Sequence, residues 1–521
     1  MNNDISNGVH PNPESPGGRE VWATEHLQRD LKRRSVQGGA LTMGSQALIM
    51  AIRTLATMAL ARLLTPADFG LVAMVAPITG FVALFKDLGL SMATVQWQKL
   101  DHDHVNALFW INVLTSFFLM AVTFALAPLV GMFYGDPRVI GITFVKGAMF
   151  LGGGFAAQHA ALIRRRMEFA RLAFLDVGSL VAGMLSGIAG AWFGMGYWAL
   201  VLVAVVQTFS FLVMAWGMSS WRPSRRVNWH SAREMLRFGA NLTGFNIVNY
   251  MARNLDNVLI GKVWGQNALG QYSKAYGLML LPLNQVHQPL TRVAIPALSR
   301  LVDKPERYRN AYVKVINQIA LVSMPLVAVC MVSADWLVLV MLGPQWVEAG
   351  RIFSYLGFAA LIEPVASTGG WLFISQNRTR EMLKWGFIGS GTTFASILMG
   401  LPYGAAGVAI AYSLVAVFVR APLLFWFIGR SGPVGARDLY GAIAFPSCLA
   451  LIAALAVLGF RGAFTSVGPL AGLLATLALA IVTTGMLVLA LPSGRARLAD
   501  TMDLFRQFRP AGEKKSGDTK T

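Results

Sequence analysis

The stretch RTLATMALARLLTPADFG runs from Arg53 to Gly70, and a related stretch, RNLDNVLIGKVWGQNALG, runs from Arg253 to Gly270. Each begins with an arginine inside an apolar segment, has a basic residue nine positions later and ends in glycine. The two arginines are 200 positions apart, and the two glycines keep that offset. Several special residues at one shared offset indicate an internal repeat.

The composition around these stretches is that of a membrane protein. Of 521 residues, 55% are hydrophobic and 13% are charged, whereas a soluble domain carries roughly 25% charged residues. Apolar segments of about 20 residues, long enough to cross a bilayer, recur along the chain. We predict an all-α polytopic membrane protein with about 14 transmembrane helices, at residues 38–63, 69–90, 107–131, 139–162, 172–193, 196–218, 238–263, 270–291, 313–333, 351–374, 383–401, 404–428, 440–460 and 467–491.

The net charge of +19 is concentrated in alternate loops. This distribution is typical of membrane topology and of contact with anionic inner-leaflet lipids, and it argues against nucleic acid as a partner. It predicts an inner-membrane protein with both termini in the cytoplasm. The predicted organisation is a cytoplasmic segment 1–35, a first lobe 36–218, a basic linker 219–237, a second lobe 238–430, two further helices in 431–491 and a cytoplasmic tail 492–521.

The first helix of each lobe carries a matching polar stripe. Six helices separate the two copies, so both cross the membrane in the same direction, as in parallel-repeat transporters. The matched pairs, which follow one helical face, are Gln46 with Asn246, Arg53 with Arg253, and Thr57 with Asn257. The turn after the first helix contains Thr65, Pro66 and Asp68, which are placed to cap the second helix.

The depth of Arg53 suggests a cavity. It lies twelve residues before Thr65, which is about 18 Å along a helix and near the middle of a hydrocarbon core of about 30 Å. An arginine there costs at least about 2.5–3.5 kcal/mol, so a water-filled cavity between the lobes is one explanation. A structural ion pair between Arg253 and Asp256, one turn apart, is the other.

Further intramembrane polar residues favour the cavity. Lys274 and Arg292 add positive charge on the eighth segment, and Lys86 and Asp176 lie in the first lobe. The basic excess predicts an anionic substrate, because the guanidinium fork suits phosphate oxygens. We therefore predict that the substrate is bound by Arg53, Arg253, Gln46, Asn246, Asn257, Lys274 and Arg292, with Asp256 as a candidate for coupling to H+ or Na+.

The sequence gives little evidence for an enzyme. There is no nucleophile–histidine arrangement and no P-loop, and the two cysteines give no metal-site spacing. LGGGF at 151–155 is interpreted as helix packing, and DHDH at 101–104 as a solvated turn. We predict a transporter, not an enzyme, with no metal and no cofactor.

Several stretches resemble Wzx-type polysaccharide transporters. They are ARLLTPADFGLVAMV at 61–75, KDLGLSMATVQ at 86–96, RRRMEFARLAFLDV at 164–177 and NYMARNLDNVLIGKVWGQNALGQYSKAYGLMLLPLNQV at 249–286. The resemblance covers about residues 36–430, and the last two helices match only in hydropathy.

The resemblance implies the fold of the multidrug/oligosaccharidyl-lipid/polysaccharide flippase superfamily, with two six-helix lobes and two additional helices. It also implies a substrate, an undecaprenyl-diphosphate-linked oligosaccharide flipped to the periplasmic leaflet for exopolysaccharide or lipopolysaccharide biosynthesis. A polymerase and glycosyltransferases are the implied partners. Two alternatives remain at this point: a cation-coupled multidrug exporter of the same superfamily, and a membrane polysaccharide polymerase or ligase.

Overall fold

The computed structural model describes residues 31–86, 94, 100–225, 233–464, 468–492, 494–495 and 497. This part of the chain is helical. The α-helices are α1 Leu31–Leu63, α2 Pro66–Ala83, α3 His102–Tyr134, α4 Arg138–Arg165, α5 Phe169–Trp192, α6 Tyr197–Met218, α7 Arg233–Ser299, α8 Pro305–Val332, α9 Ala334–Met341, α10 Val347–Ala366, α11 Gly369–Ser375, α12 Thr379–Gly400, α13 Gly404–Val415, α14 Ala421–Gly429, α15 Ala436–Phe460 and α16 Pro469–Ala490.

Eleven stretches among the described residues are long and apolar enough to cross a membrane. One of them, 379–429, bends at the 3₁₀ turn Leu401–Tyr403 and so contains two predicted segments. The seventh and eighth predicted segments are both in α7, which has a kink at Gly265 with φ 77°. Every predicted segment thus overlaps a helix, and the predicted fold class is confirmed.

The start of α2 follows from its first residues, as predicted. The Thr65 backbone N–H donates to the Asp68 carboxylate at 2.9 Å, and the Asp68 N–H donates to the Thr65 hydroxyl at 3.3 Å. Pro66 occupies the first turn, where it removes no intrahelical hydrogen bond. The helix ends at Ala83, and the N–H groups of Leu84 and Lys86 donate to carbonyls three residues earlier. The predicted segment continues to residue 90, but residues 87–90 lie outside the described part of the chain.

The helices pack in two groups. In the first, α3 packs on α4, α5 on α6, and α1 on α5; in the second, α10 contacts α7, α8 and α13. Helix α15 lies against α8, and α16 lies against α15 and α9. The most extensive contact between the groups is that of α2 with α7. We call the groups α1–α6 and α7–α14 the N-lobe and the C-lobe, while the predicted domain boundaries stay a prediction.

Candidate translocation site

The two repeated glycines meet across the lobe interface. A Cβ added to Gly70 would overlap the carbonyl oxygen of Gln266, and a Cβ added to Gly270 would overlap the carbonyl oxygen of Pro66. Pro66 and Gln266 are themselves 200 residues apart. The contact is therefore reciprocal, as expected when two copies of one unit meet around a pseudo-twofold axis. Only glycine allows backbones to approach this closely.

Hydrogen bonds at the same end repeat this reciprocity. The Arg62 guanidinium donates to the carbonyl of Val340 at 2.8 Å, near the end of α9. Its counterpart, Lys262, donates to the carbonyl of Phe133, near the end of α3. Each lobe thus places a basic residue from its first helix on a helix terminus of the other lobe, where exposed carbonyls and the helix dipole favour a cation.

Residues that follow α3 and α9 also form hydrogen bonds with the opposite lobe. Arg138 donates to the Gln266 side chain at 2.8 Å, and Gln345 donates to the Leu64 carbonyl at 2.7 Å. The hydrogen bond from Arg138 holds the pKa of Asp136 below its ordinary value. We call this set of contacts the closed end, defined by residues 61–70, 133–138, 261–271 and 340–346.

Aromatic side chains pack within the closed end. Phe69 contacts Trp346 edge to face, with ring centroids 5.3 Å apart, and the Trp346 indole donates to the Ala61 carbonyl at 2.8 Å. The ammonium of Lys274 lies 3.9 Å from the centre of the Phe69 ring. Lys274, predicted to line a cavity, therefore lies in the contact between α2 and α7.

Arg53 and Gln46, two of the predicted binding residues, line one cavity of about 630 Å³. This cavity lies among helices of the N-lobe, and we call it the N-lobe chamber. Lys86, Asp176 and Asn112 also line it, together with Gly152–Gly154, Gln207 and Thr208. Among the described residues, the charged groups that line it are two cations and one carboxylate.

The glycines of LGGGF pack as predicted and also shape the chamber. Gly152 packs against the Thr208 side chain. A Cβ on Gly153 would overlap the Lys86 ammonium, and a Cβ on Gly154 would overlap the Ser116 hydroxyl. Because Gly153 and Gly154 have no Cβ atom, the polar side chains of Lys86 and Ser116 can approach α4 closely.

Arg253 is exposed and Asp256 is buried. The Asp256 carboxylate accepts hydrogen bonds from the Tyr272 hydroxyl at 2.9 Å and from the Asn257 backbone at 2.8 Å. Within residues 233–464, no ion pair joins Arg253 to Asp256. The Asn257 side-chain oxygen is buried without a partner in the described part of the chain. The side chains of Asn246 and Arg292 lie outside the described residues.

A charged cluster in the C-lobe was not predicted from the sequence. Arg420 donates to the Glu363 carboxylate at 3.1 Å, to the Tyr412 hydroxyl at 3.2 Å and to the Thr393 hydroxyl at 3.0 Å. It ends a π-helical turn, Ala416–Arg420, a feature frequent at functional sites. The sequence feature that could have indicated this cluster is Arg420 itself, an arginine inside the twelfth apolar segment, 404–428.

Replacing Arg420 with methionine should lower the stability of the purified protein by about 1–3 kcal/mol. The change leaves the Glu363 carboxylate, 32% exposed, without its cation, and partial exposure reduces the cost of breaking a buried pair. Thermal unfolding in detergent, followed by fluorescence, measures the effect.

The double variant Arg420→Met/Glu363→Met should be more stable than Arg420→Met, because no unpaired charge remains. Arg351→Met is the control, since this arginine is 69% exposed and its ion pair, among the described residues, is with Glu348 one turn away. An unfolding temperature of Arg420→Met equal to that of the unmodified protein would contradict the structural role of the pair.

Comparison with known proteins identifies the family. Residues 59–351, more than half of the chain, match the family model described as polysaccharide biosynthesis protein. The chain belongs to this family. The resemblance to Wzx-type polysaccharide transporters is thereby confirmed.

Relatives in the polysaccharide biosynthesis family cover most of the chain. The lipopolysaccharide biosynthesis protein WzxC of Escherichia coli K12 is 23% identical over 394 residues, which is 74% of this chain and 79% of that protein. The succinoglycan biosynthesis transport protein ExoT of Rhizobium meliloti is 23% identical over 454 residues, 87% of this chain and 91% of that protein.

Among solved structures, the chain is similar to the lipid II flippase MurJ in an inward closed conformation. The TM-score is 0.68 at 12% sequence identity, and the match covers 91% of this chain and 99% of MurJ. At this identity the likeness concerns the fold alone.

Proposed function

We propose that this chain flips an undecaprenyl-diphosphate-linked oligosaccharide repeat unit from the cytoplasmic to the periplasmic leaflet of the inner membrane. The product would serve exopolysaccharide or lipopolysaccharide biosynthesis. The observation that carries the proposal is the reciprocal contact of Gly70 with Gln266 and of Gly270 with Pro66. Two repeated lobes that meet through matching backbones at one end can separate there as units, which alternating access requires.

The predicted topology puts the closed end on the periplasmic side. In this state the substrate would enter from the cytoplasm, and opening of the closed end would release it outward. The contacts suit a reversible closure, because Arg62 and Arg138 are exposed and cross the interface by hydrogen bonds to neutral groups. A hydrogen bond from a charged group contributes about 1.5–3 kcal/mol, and less where solvent competes for an exposed guanidinium, so substrate binding can offset the loss of these contacts.

Arg53 and Arg253 would bind the diphosphate while the lipid tail stays in the bilayer. Both side chains are exposed, and Gln46 lies beside Arg53 along the chamber wall. Outward movement of about two negative charges would be assisted by an inside-negative potential, at about 2.3 kcal/mol per charge per 100 mV. Asp256, buried and hydrogen bonded to Tyr272, is the candidate group for coupling to H+ or Na+.

Deletion of the gene should cause lipid-linked repeat units to accumulate on the cytoplasmic side of the inner membrane. A membrane-impermeant glycosidase added to spheroplasts should then digest these units only after lysis. In the complemented strain it should digest them, or the polymer made from them, in intact spheroplasts. Normal digestion in intact spheroplasts of the deletion strain would contradict the proposal and favour a polymerase or ligase.

A further inference from the structure

The N-lobe chamber combines cations with hydrogen-bonding groups of both kinds. Arg53 on α1 and Lys86 after α2 supply positive charge, and Asp176 on α5 supplies a carboxylate. Gln46, Asn112 and Gln207 add side-chain amides, each of which can donate and accept hydrogen bonds. A volume of about 630 Å³ is in the range of small-molecule sites. The lining suits a ligand that carries both an anionic group and hydroxyls.

Asn112 is an independent observation that points to a ligand in the chamber. Its side chain lines the chamber but is only 1% exposed. Among the described residues, neither its amide nitrogen nor its amide oxygen has a hydrogen-bond partner. A buried polar group without a partner destabilises the protein. A ligand hydroxyl can act as donor and acceptor, and so can satisfy such an amide.

The position of Lys86 depends on Gly153. A Cβ at residue 153 would overlap the Lys86 ammonium, so the glycine lets this cation lie along α4. Lys86 and Arg53 both line the cavity, although Arg53 lies on α1 and Lys86 follows α2. The tertiary fold thus places two cations around one space, although charged groups are costly in the membrane interior.

We propose that the N-lobe chamber is a binding site for a phosphorylated sugar, which is the phosphate-linked end of the saccharide. Arg53 and Lys86 bind phosphate oxygens, and Asn112, Gln207 and Asp176 bind sugar hydroxyls. The inference rests on the proposed function and deepens it, because it places part of the substrate inside the N-lobe. Lys86 then joins Arg53 as a substrate-binding residue.

Protection of a cysteine inside the chamber tests this site without measuring transport. The chain has only two cysteines, Cys330 and Cys448, and both can be replaced by alanine. Ala157, which lines the chamber, is then replaced by cysteine in the purified full-length protein. The rate of reaction with a small thiol reagent is measured with inorganic diphosphate, glucose 1-phosphate, glucuronate or sodium chloride at equal ionic strength.

We expect diphosphate and glucose 1-phosphate to slow labelling and chloride not to. Lys86→Gln should weaken the apparent affinity for diphosphate about tenfold or more, because it removes a charge-assisted hydrogen bond. Lys86→Arg should retain protection, which separates loss of charge from loss of folding. Lys304→Gln is the matched control, since this lysine is exposed and lies outside the chamber.

Protection by glucose 1-phosphate alone would support the site and show that the sugar is required. Equal slowing by chloride, protection by glucuronate alone, or protection unchanged in Lys86→Gln would each overturn the assignment. None of these results depends on export. Failure of the site is therefore distinguishable from failure of the proposed function, which the deletion strain tests.

Discussion

The variant Gly270→Ala should export at least about fivefold less polysaccharide than the unmodified protein, while its amount in the membrane stays the same. A Cβ at residue 270 overlaps the backbone carbonyl of Pro66, and a backbone atom cannot turn away as a flexible side chain does. Overpacking of this kind costs about 1–3 kcal/mol, and 1.4 kcal/mol is a tenfold change in a conformational equilibrium. The conformation in which the closed-end contacts are formed would then be less populated.

The matched control is Gly277→Ala, two turns along the same helix. No atom lies within 4 Å of a Cβ built at Gly277, and alanine is otherwise favoured over glycine in a helix by about 0.8–1 kcal/mol. Because the contact is reciprocal, Gly70→Ala should reproduce the defect of Gly270→Ala. Equal export by Gly270→Ala and Gly277→Ala would show that the close approach is not needed for transport.

Loss of closure can be measured directly with a buried cysteine. Met74 is 3% exposed beneath the closed end, so Met74→Cys in a background without Cys330 and Cys448 should react slowly with an impermeant thiol reagent. Gly270→Ala should accelerate this reaction several-fold. The predicted topology requires that the reagent act from the periplasmic side. Reaction only from the cytoplasmic side would show that the chain has the opposite orientation.

Much of this fold follows from local sequence. A run of about 20 apolar residues has few alternatives to a membrane helix, so each predicted segment overlaps a helix. The cap of α2 was predictable because Thr65, Pro66 and Asp68 act within one turn. The repeat was visible because two copies of one fold place arginine and glycine at the same local positions.

What these residues contact could not be read from the sequence. The match of Gly70 with Gly270 indicated duplication, but only packing shows that each glycine contacts the other lobe. LGGGF was correctly interpreted as packing, yet its contact with Lys86 joins residues about 70 positions apart. Arg420 was missed because its partners Glu363 and Thr393 lie in other helices.

The remaining prediction concerns the arginine pair from which the repeat was recognised. Arg53→Ala and Arg253→Ala should each reduce export about 10- to 100-fold, because a hydrogen bond to a charged group contributes about 1.5–3 kcal/mol. Lysine at either position should restore part of the activity, since it keeps the charge but loses the bidentate fork. Surface polysaccharide in the complemented deletion strain is the measure, with membrane levels determined in parallel.

Arg351→Ala is the control for loss of an arginine, because that side chain is exposed and its ion pair in the described part of the chain is with Glu348 one turn away. Normal export by both Arg53→Ala and Arg253→Ala would end the assignment of the diphosphate site while leaving the family and the fold intact. A defect in Arg53→Ala alone would restrict binding to the N-lobe chamber, since Arg53 lines it with Lys86. Equal defects in both would instead require the substrate to contact both lobes, which is how its binding could drive them apart.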